Sequence, residues 1–501
     1  MAANYSADVL ICGAGPAGLT LAIELARRGV SFHLIDRMAV PFHGSRGKGI
    51  QPRSLEIFAD LGILERLIAA GGPYPPAREY RRDGSRRESA FLEHADPTPG
   101  EPYPLTWMVP QFMTEHALRE RLLELGRRPV FGNTLVGLQQ DRDAVSARLT
   151  TERGHEVVRV RYLVGADGGG SFVRRELEIG FPGKTLGVRG LVADVIVTGF
   201  DRDVWHQFRD EATGRQIALC PLPGTDLFQL QTAVQLEGDI DLSAEGLTAL
   251  VTERTGRSDI CIRSVSWASA FQMNARLADR YRAERVFLIG DAAHTHPPTG
   301  GQGLNTSIQD AYNLGWKLSA VIAGAPESLL DTYEEERRPI AASMLGLTTK
   351  LLDAAVKGDE KQRGRDVRQL DLGYPDSSLS LKAARRTIGP SAGDRAPDAP
   401  IRRASGPATR LFELFQGTHW SLLGYEADRR TVNARPGLHT HIIGAAGELI
   451  DEHDHFRDAY AVPPGTWVLV RPDGYIGAIV LTEDIGALET HMQKAGLSTD
   501  V

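Results

Sequence analysis

The stretch ADVLICGAGPAGLTLAIELARRGVSFHLIDR, Ala7 to Arg37, changes character three times. Val9 to Cys12 are a continuous apolar run, the pattern of a strand buried on both faces. Gly13, Gly15 and Gly18 then stand in G-x-G-x-x-G spacing, with Ala14, Pro16 and Ala17 between them. Leu19, Ile23 and Ala26 recur at helical spacing, Gly29 closes the helix, and Phe32 to Ile35 form a second strand that ends on Asp36 and Arg37. Glycines let the backbone turn tightly and approach a pyrophosphate, the helix N-terminus offers free N–H groups, and Asp36 can accept hydrogen bonds from a ribose. The segment reads as a dinucleotide-binding strand-helix-strand unit. Its spacing does not choose between NAD and FAD.

Outward from this unit, the chain is too long for one core. Its 501 residues suggest roughly three domains. With 42% hydrophobic and 24% charged residues it has a globular composition, and a net charge of -7 argues against a nucleic-acid or anionic-membrane partner. No stretch approaches the roughly 20 apolar residues of a membrane span. The N-terminal apolar run lacks a basic start and is broken by glycines, so it reads as structure and not as a signal peptide. Cys12, Cys220 and Cys261 are the only cysteines, none spaced as a metal or redox pair, which suits a reducing cytoplasm.

Two later segments repeat the strand-to-glycine pattern. VRYLVGADGGGSFVRREL carries an apolar strand, Tyr162 to Val164, followed by Gly165, Asp167 and three successive glycines. VFLIGDAAHTHPPTGGQGLNTSIQDAYNLGWKL, beginning at Val286, carries a third strand, then Gly290 and Asp291, and then an unusually particular loop before a helix. On that helix Leu304, Ile308, Ala311, Leu314, Leu318 and Val321 share one apolar face. His294 and His296 lack a visible third ligand, so a loop-ordering hydrogen bond is expected of them and a metal is not.

Taken together, the glycine fingerprint, GADGGGSFVR and GDAAHTHPPTGGQGLNTSIQDAYNLGWKL resemble the class A FAD-dependent aromatic hydroxylases of the para-hydroxybenzoate hydroxylase type, in particular the polyketide and phenol hydroxylases with a thioredoxin-like C-terminal domain. The resemblance runs over most of the chain. It implies FAD as cofactor, NADPH or NADH as co-substrate, O2 as oxidant and a small aromatic molecule as substrate. It also implies that Asp291 binds the ribityl chain or pyrophosphate through a water and that Asp167 supports the FAD and NAD(P)H region. The loop from Pro298 through Gly301 to Gly303 would lie along the flavin ring, with Leu304 and Asn305 near its pyrimidine edge. A helix beginning near Gly303 would place positive potential where reduced flavin carries negative charge. Arg46, in FHGSRGKGIQPRSLEIF, resembles the arginine that reaches the cofactor, and Gln111, in WMVPQFMTEHALRERL, resembles the residue that bonds the ribityl chain.

The expected fold is α/β: a doubly wound Rossmann-type FAD-binding domain (1–179 and 282–352), an inserted antiparallel sheet for substrate (180–281), a connector (353–407) and a thioredoxin-like domain (408–501). Short alternating strands between Gly180 and Tyr281 carry Phe208, Gln229, Gln231, Trp267 and Phe271 as candidate pocket residues. His206 and Tyr281 are the side chains that could be proposed as a base. In the tail, Asp473-Gly474 is a hairpin candidate. With no cysteine after Cys261 the tail cannot exchange dithiols, which leaves packing, a homodimer contact or shaping of the substrate entrance.

The activity implied is monooxygenation of a phenolic or polycyclic aromatic ring through a flavin C4a-hydroperoxide. Two alternatives stay open: hydroxylation of a small phenolic acid, and Baeyer–Villiger insertion on the same fold. The F-x-G-x-x-x-H fingerprint of the separate Baeyer–Villiger group is missing, because FQGTHW has its histidine two places too early. The W-x-W-x-I-P motif of flavin halogenases is absent as well. From another class, a non-catalytic flavin-binding sensor would show no NAD(P)H oxidation with any phenol.

Overall fold

The computed structural model describes residues 5–498 except 82, 210–215, 298–299, 358–362 and 382–385. Ala7–Cys12 is the middle of a sheet, parallel to Phe32–Asp36 on one side and to Gly154–Gly165 on the other. Val286–Leu288 continues the parallel order beyond Gly154–Gly165, and Val130–Phe131 beyond Phe32–Asp36. Val9, Leu10 and Ile11 are wholly buried, as a strand covered on both faces must be. Only the inner part of Gly154–Gly165 is apolar. Its outer part is polar and exposed, and it is a strand because it pairs antiparallel with Val145–Thr151.

Helix Pro16–Arg27 lies against helix Gly303–Ile322, close enough that a Cβ on Gly315 would stand 2.6 Å from Cβ of Glu24. The long helix is buried all round. Its leucine face behaves as the periodicity predicts, and its polar face, including Asp310, Asn313 and Lys317, is covered too. Each fully buried Leu or Ile contributes about 1.5–3 kcal/mol, so the apolar stripe offsets the cost of enclosing the polar one. No helix among the described residues is long and apolar enough to cross a membrane.

The second sheet has eight strands in the order His294–Thr295, Cys261–Leu277, Gly183–Thr198, Phe228–Val234, Gln216–Pro221, Trp205–Arg209, Ala77–Tyr80, Arg86–Ser89. It therefore draws strands from both sides of the expected 180–281 segment. Along Gly183–Thr198, Leu191, Ala193, Val195 and Val197 pack outward under helix Ala244–Thr255, while Gly190, Val192 and Asp194 alternate onto the opposite face.

A third, seven-stranded sheet forms the C-terminal domain, with a parallel pair Trp420–Tyr425 and Leu438–Ile443 and an antiparallel hairpin Thr466–Val470 and Ile476–Leu481. Gly474, at φ +76°, makes the hairpin turn, with its N–H donating to the Arg471 carbonyl. Pro400–Arg403, inside the stretch read as connector, is already a strand of this sheet, paired with Ala408–Arg410 and Leu449–Ile450. Charge and prolines made that segment look like a linker. Pairing, which composition does not show, makes it part of the domain.

Candidate active site

The three glycine-bearing strand ends meet. The Gly13 N–H donates to the Ile35 carbonyl, the Ala166 N–H to Cys12, and the Ile289 N–H to Gly165. Gly13 has φ +113°, and a Cβ there would stand 2.2 Å from the Ala166 carbonyl oxygen. A Cβ on Gly18 would stand 1.9 Å from the Gly13 carbonyl oxygen. Gly15 differs, since a Cβ there would meet nothing within 4 Å. Two glycines thus serve the turn and its packing, and the third keeps open a backbone surface beside the N-terminus of Pro16–Arg27. Ala14 and Ala17 are buried beneath that surface.

Asp36 braces the turn. Its Oδ2 accepts from Ala14 N at 2.7 Å and its Oδ1 from Met38 N at 2.8 Å. Arg37 is exposed and has no described partner. In the second motif, Asp167 Oδ2 accepts from the N–H groups of Phe172 and Val173, while Oδ1 is buried with no partner among the described residues. Arg174 ties this motif to the third by donating to the carbonyls of Ala292, at 2.7 Å, and Gly169, at 2.8 Å.

Gly290, at φ +60°, brings the third strand end against Ala17 and Ser307. Beyond it Asp291 is exposed. Desolvation raises its pKa, opposed by the positive potential of His294 and Arg46. Arg46 is exposed and stands 5.9 Å from the ring centroids of both Phe42 and Trp267.

Behind this turn lies a buried chain. His294 Nε2 donates to Asp310 Oδ2 at 2.7 Å, and His296 Nε2 lies 3.0 Å from His294 Nδ1. Asp310 also accepts from the Gly290 N–H and from Arg337 Nε. These charges hold the Asp310 carboxyl below its usual range even though burial pushes the other way, and burial drives His296 well below the usual imidazole range. The two histidines therefore order the loop, as expected.

Pro298 lies outside the described residues. Gly300 and Gly301 both have positive φ, and Gln51 Nε2 donates to the Gly300 carbonyl. Gly303 opens the long helix, and Leu304 faces Gly47. The side chain of Asn305 is fully committed: its Oδ1 accepts from Gln51 N, and its Nδ2 donates to Gly49 and Gly301. Only its backbone N–H, one of the helix's unfilled first-turn donors, remains to serve a ligand. Gln111 accepts from the Gly47 N–H and donates to Glu115.

Segment Ser45–Gln51 bridges this turn to the second sheet. Ser45 N and Oγ donate to the buried carboxylate of Asp194, Gln229 Nε2 donates to the Ser45 carbonyl, and Lys48 Nζ donates to Gln229 Oε1 at 2.7 Å. Gln229, Gln231 and Trp267 share the face turned toward the segment. Phe208 does not. It stacks on Tyr80 at 4.3 Å in the layer under helix Ala244–Thr255, because the alternation puts Trp205 inward instead. His206 is on that outer layer too, bonded to Tyr80 Oη and the Asp201 carbonyl. Tyr281 is enclosed in the core beside His294 and Tyr333, and burial lifts its pKa far up. Neither can act as a base toward a substrate on the inner face. Arg174, Asp310, Arg337, Ser45, Lys48 and Asp194 escaped the sequence reading. Asp310 had a signal, a carboxylate i, i+3 and i+7 to Asn313 and Lys317 on a helix, which resembles a solvated face.

A dinucleotide cradle joined through one turn to an antiparallel sheet is the arrangement of a flavoprotein with a substrate-binding sheet set against its cofactor site. Residues 6–348 match the FAD binding domain family and residues 389–495 the C-terminal domain of aromatic-ring hydroxylases. A flavin-dependent monooxygenase of Mycobacteroides abscessus is 43% identical over 95% of this chain and 97% of its own. The 12-dehydrotetracycline 5-monooxygenase/anhydrotetracycline 6-monooxygenase of Streptomyces rimosus is 34% identical over 94% of both. The solved ternary complex of aklavinone-11 hydroxylase with FAD and aklavinone superposes with TM-score 0.85 at 25% identity, covering 98% of this chain and 99% of that one. The chain belongs to the FAD-binding aromatic-ring hydroxylases and is a flavin-dependent monooxygenase. Its residues fit that cofactor: Gly15 keeps an open backbone cradle, Asp167 retains an unpaired oxygen, and the long helix begins at Gly303 with no side-chain cap on its first N–H groups.

Proposed function

We propose that this enzyme uses NADPH or NADH and O2 to hydroxylate a phenolic, polycyclic aromatic substrate held between the 300–305 turn and the inner face of the second sheet. The observation that carries the reading is the bridge Ser45–Gln51, which hydrogen-bonds to Asn305 and Gly300 at one end and to Asp194 and Gln229 at the other. It fixes the substrate face relative to the cofactor cradle. Two of the proteins named above are named for anhydrotetracycline and aklavinone as substrates, which supports the substrate class.

Bound FAD supplies the redox chemistry, accepting electrons from the nicotinamide and activating oxygen. The chain supplies position and field. Gly13 to Gly18 and Asp36 would hold the adenosine end, with Arg37 at its margin. Asp291 would bind the ribityl chain or pyrophosphate through a water, Asp167 would support the FAD and NAD(P)H region, Arg46 would reach the cofactor and Gln111 the ribityl chain, and Gly290, Gly301, Gly303, Leu304 and the Asn305 N–H would flank the ring. The N-terminal end of Gly303–Ile322 favours the negative charge of the reduced state. His206 and Tyr281 being turned away, no side chain of theirs takes a substrate proton. Cys12 and Cys220 are buried free thiols, which supports a reducing cytoplasm.

The test is incubation of the FAD-loaded protein with hydroxylated polycycles, NADH or NADPH, and 18O2. One labelled oxygen per product with matching nicotinamide consumption supports the reading. Nicotinamide oxidation that yields only peroxide with every phenol sinks it.

A further inference from the structure

On the inner face of the second sheet, one chain of hydrogen bonds has a single self-consistent direction. It starts at the Ser45 backbone carbonyl, which can only accept, and which receives Gln229 Nε2. Ser45 Oγ, already donating to Asp194, receives the same Nε2 at 3.0 Å. The amide of Gln229 therefore presents Oε1 to the other side, where Lys48 Nζ donates at 2.7 Å and Gln231 Nε2 at 2.6 Å. Lysine has no acceptor to offer when charged, so it reinforces the same orientation. Gln231 has then spent one of its two Nε2 hydrogens on Gln229, which fixes the amide and leaves Oε1 on its other side without a described partner. Its cross-strand neighbours on this face, Val192 and Ala218, offer it no side-chain hydrogen bond. The residue is half-buried, so the free oxygen sits on a partly desolvated surface.

We infer that Gln231 is the substrate-contacting residue that accepts a hydrogen bond from a ring hydroxyl, with Gln229 as the positioning residue that stops its amide from turning over. The inference rests on the proposed function, since it assumes that the aromatic substrate occupies this face. An acceptor held in one orientation selects for an O–H donor and against the same ring bearing an ether, because the ether leaves the carbonyl dehydrated and unpaired. A freely turning amide could bring its N–H groups to the place where the carbonyl now stands and accept the ether equally well, and the selectivity would vanish.

The test uses the full FAD-loaded chain and a set of hydroxyanthraquinones with their mono-O-methyl ethers, with affinity read from the change in flavin absorbance. The wild type should prefer the hydroxyl form by roughly ten-fold. Gln231→Leu should bring the ratio near one, and Gln229→Met should lower it by freeing the Gln231 amide, although its own side chain touches no ring. FAD content and melting temperature are read on each variant, which separates loss of fold from loss of selectivity. A hydroxyl preference that survives in folded, flavin-loaded Gln231→Leu overturns the assignment. So does a wild type that binds phenol and ether equally. Failure of the wild type to bind any member while retaining FAD removes the substrate face itself, and the proposed function falls with it.

Discussion

Glu336 and Arg337 are consecutive on one helix and serve two different buried networks. Arg337 turns to Asp310 and through it to His294 and the Gly290 turn. Glu336 turns to Lys317, Asn313, Ser377 and Arg471. Arg471 in turn holds Asp473 in the C-terminal hairpin, and Trp316 donates to the same carboxylate. This second network sets two cations against two carboxylates and closes on itself, fastening the C-terminal domain to the helix that leads from the active site. The first is left open. His296 Nδ1 has no described partner, and Asp291 on the same turn is exposed. A closed ionic cluster spends all its bonding capacity on position, whereas a site must keep some to offer.

The sharpest way to break this contrast is Glu336→Gln. It strands Lys317 and Arg471 with half their compensation, and it should cost about 3–5 kcal/mol of unfolding free energy in urea titration, most of it from uncompensated buried charge. Flavin content per folded molecule should hardly change. Asp310→Asn should cost somewhat less, about 2–4 kcal/mol, but should also loosen the Gly290 turn and release flavin on gel filtration. If Glu336→Gln sheds flavin as readily as Asp310→Asn, the division between fastening and function is wrong.

The glycine turn sharpens the same distinction on a smaller scale. Gly15→Ala adds a methyl that meets no protein atom at φ -77°, an ordinary conformation. Unfolding of the flavin-free protein should shift by no more than about 0.5 kcal/mol, while FAD affinity falls, measured by fluorescence titration. Gly13→Ala should lose stability as well, because its Cβ would collide with the Ala166 carbonyl.

The last effect appears only as pH is changed. Burial pushes the Glu115 carboxyl up to about 7, against the Gln111 hydrogen bond and Arg119. Between its ordinary value of 4.5 and about 7 the folded state holds a proton that the unfolded state has released, so stability falls as pH rises through that window. Asp310 and Glu336, whose pKa values are depressed, act with the opposite sign and lose their contribution only as pH falls below the ordinary carboxylate range. Glu115→Gln should therefore raise stability at pH 8 by about 2–3 kcal/mol and change little at pH 4.5. Equal effects at the two pH values would show that Glu115 is not held protonated.

Much of the cradle was legible because its chemistry is local. Gly13, Gly18 and Gly290 are demanded by backbone turns and close approaches that lie within or beside the motifs themselves. The substrate sheet was legible as strands but not as faces. Phe208 and Gln229 are equally plausible pocket residues until the register shows that Phe208 packs under helix Ala244–Thr255 and Gln229 over Ser45. Asn305 was expected near the pyrimidine edge of the flavin, and its side chain is consumed by Gly49, Gln51 and Gly301, which come from distant and neighbouring turns alike.

By itself the sequence determined the family and the glycine turns at the three strand ends, since each depends on residues a few positions apart whose spacing sets backbone geometry. Only the tertiary structure decided which polar residues are fastened and which are free. Asp310, Lys317 and Glu336 look like the wet face of amphipathic helices, and they become buried ion pairs because Arg337 and Arg471 arrive from other segments. A charge can be buried only where a partner is brought to it, and that is a property of the packed chain.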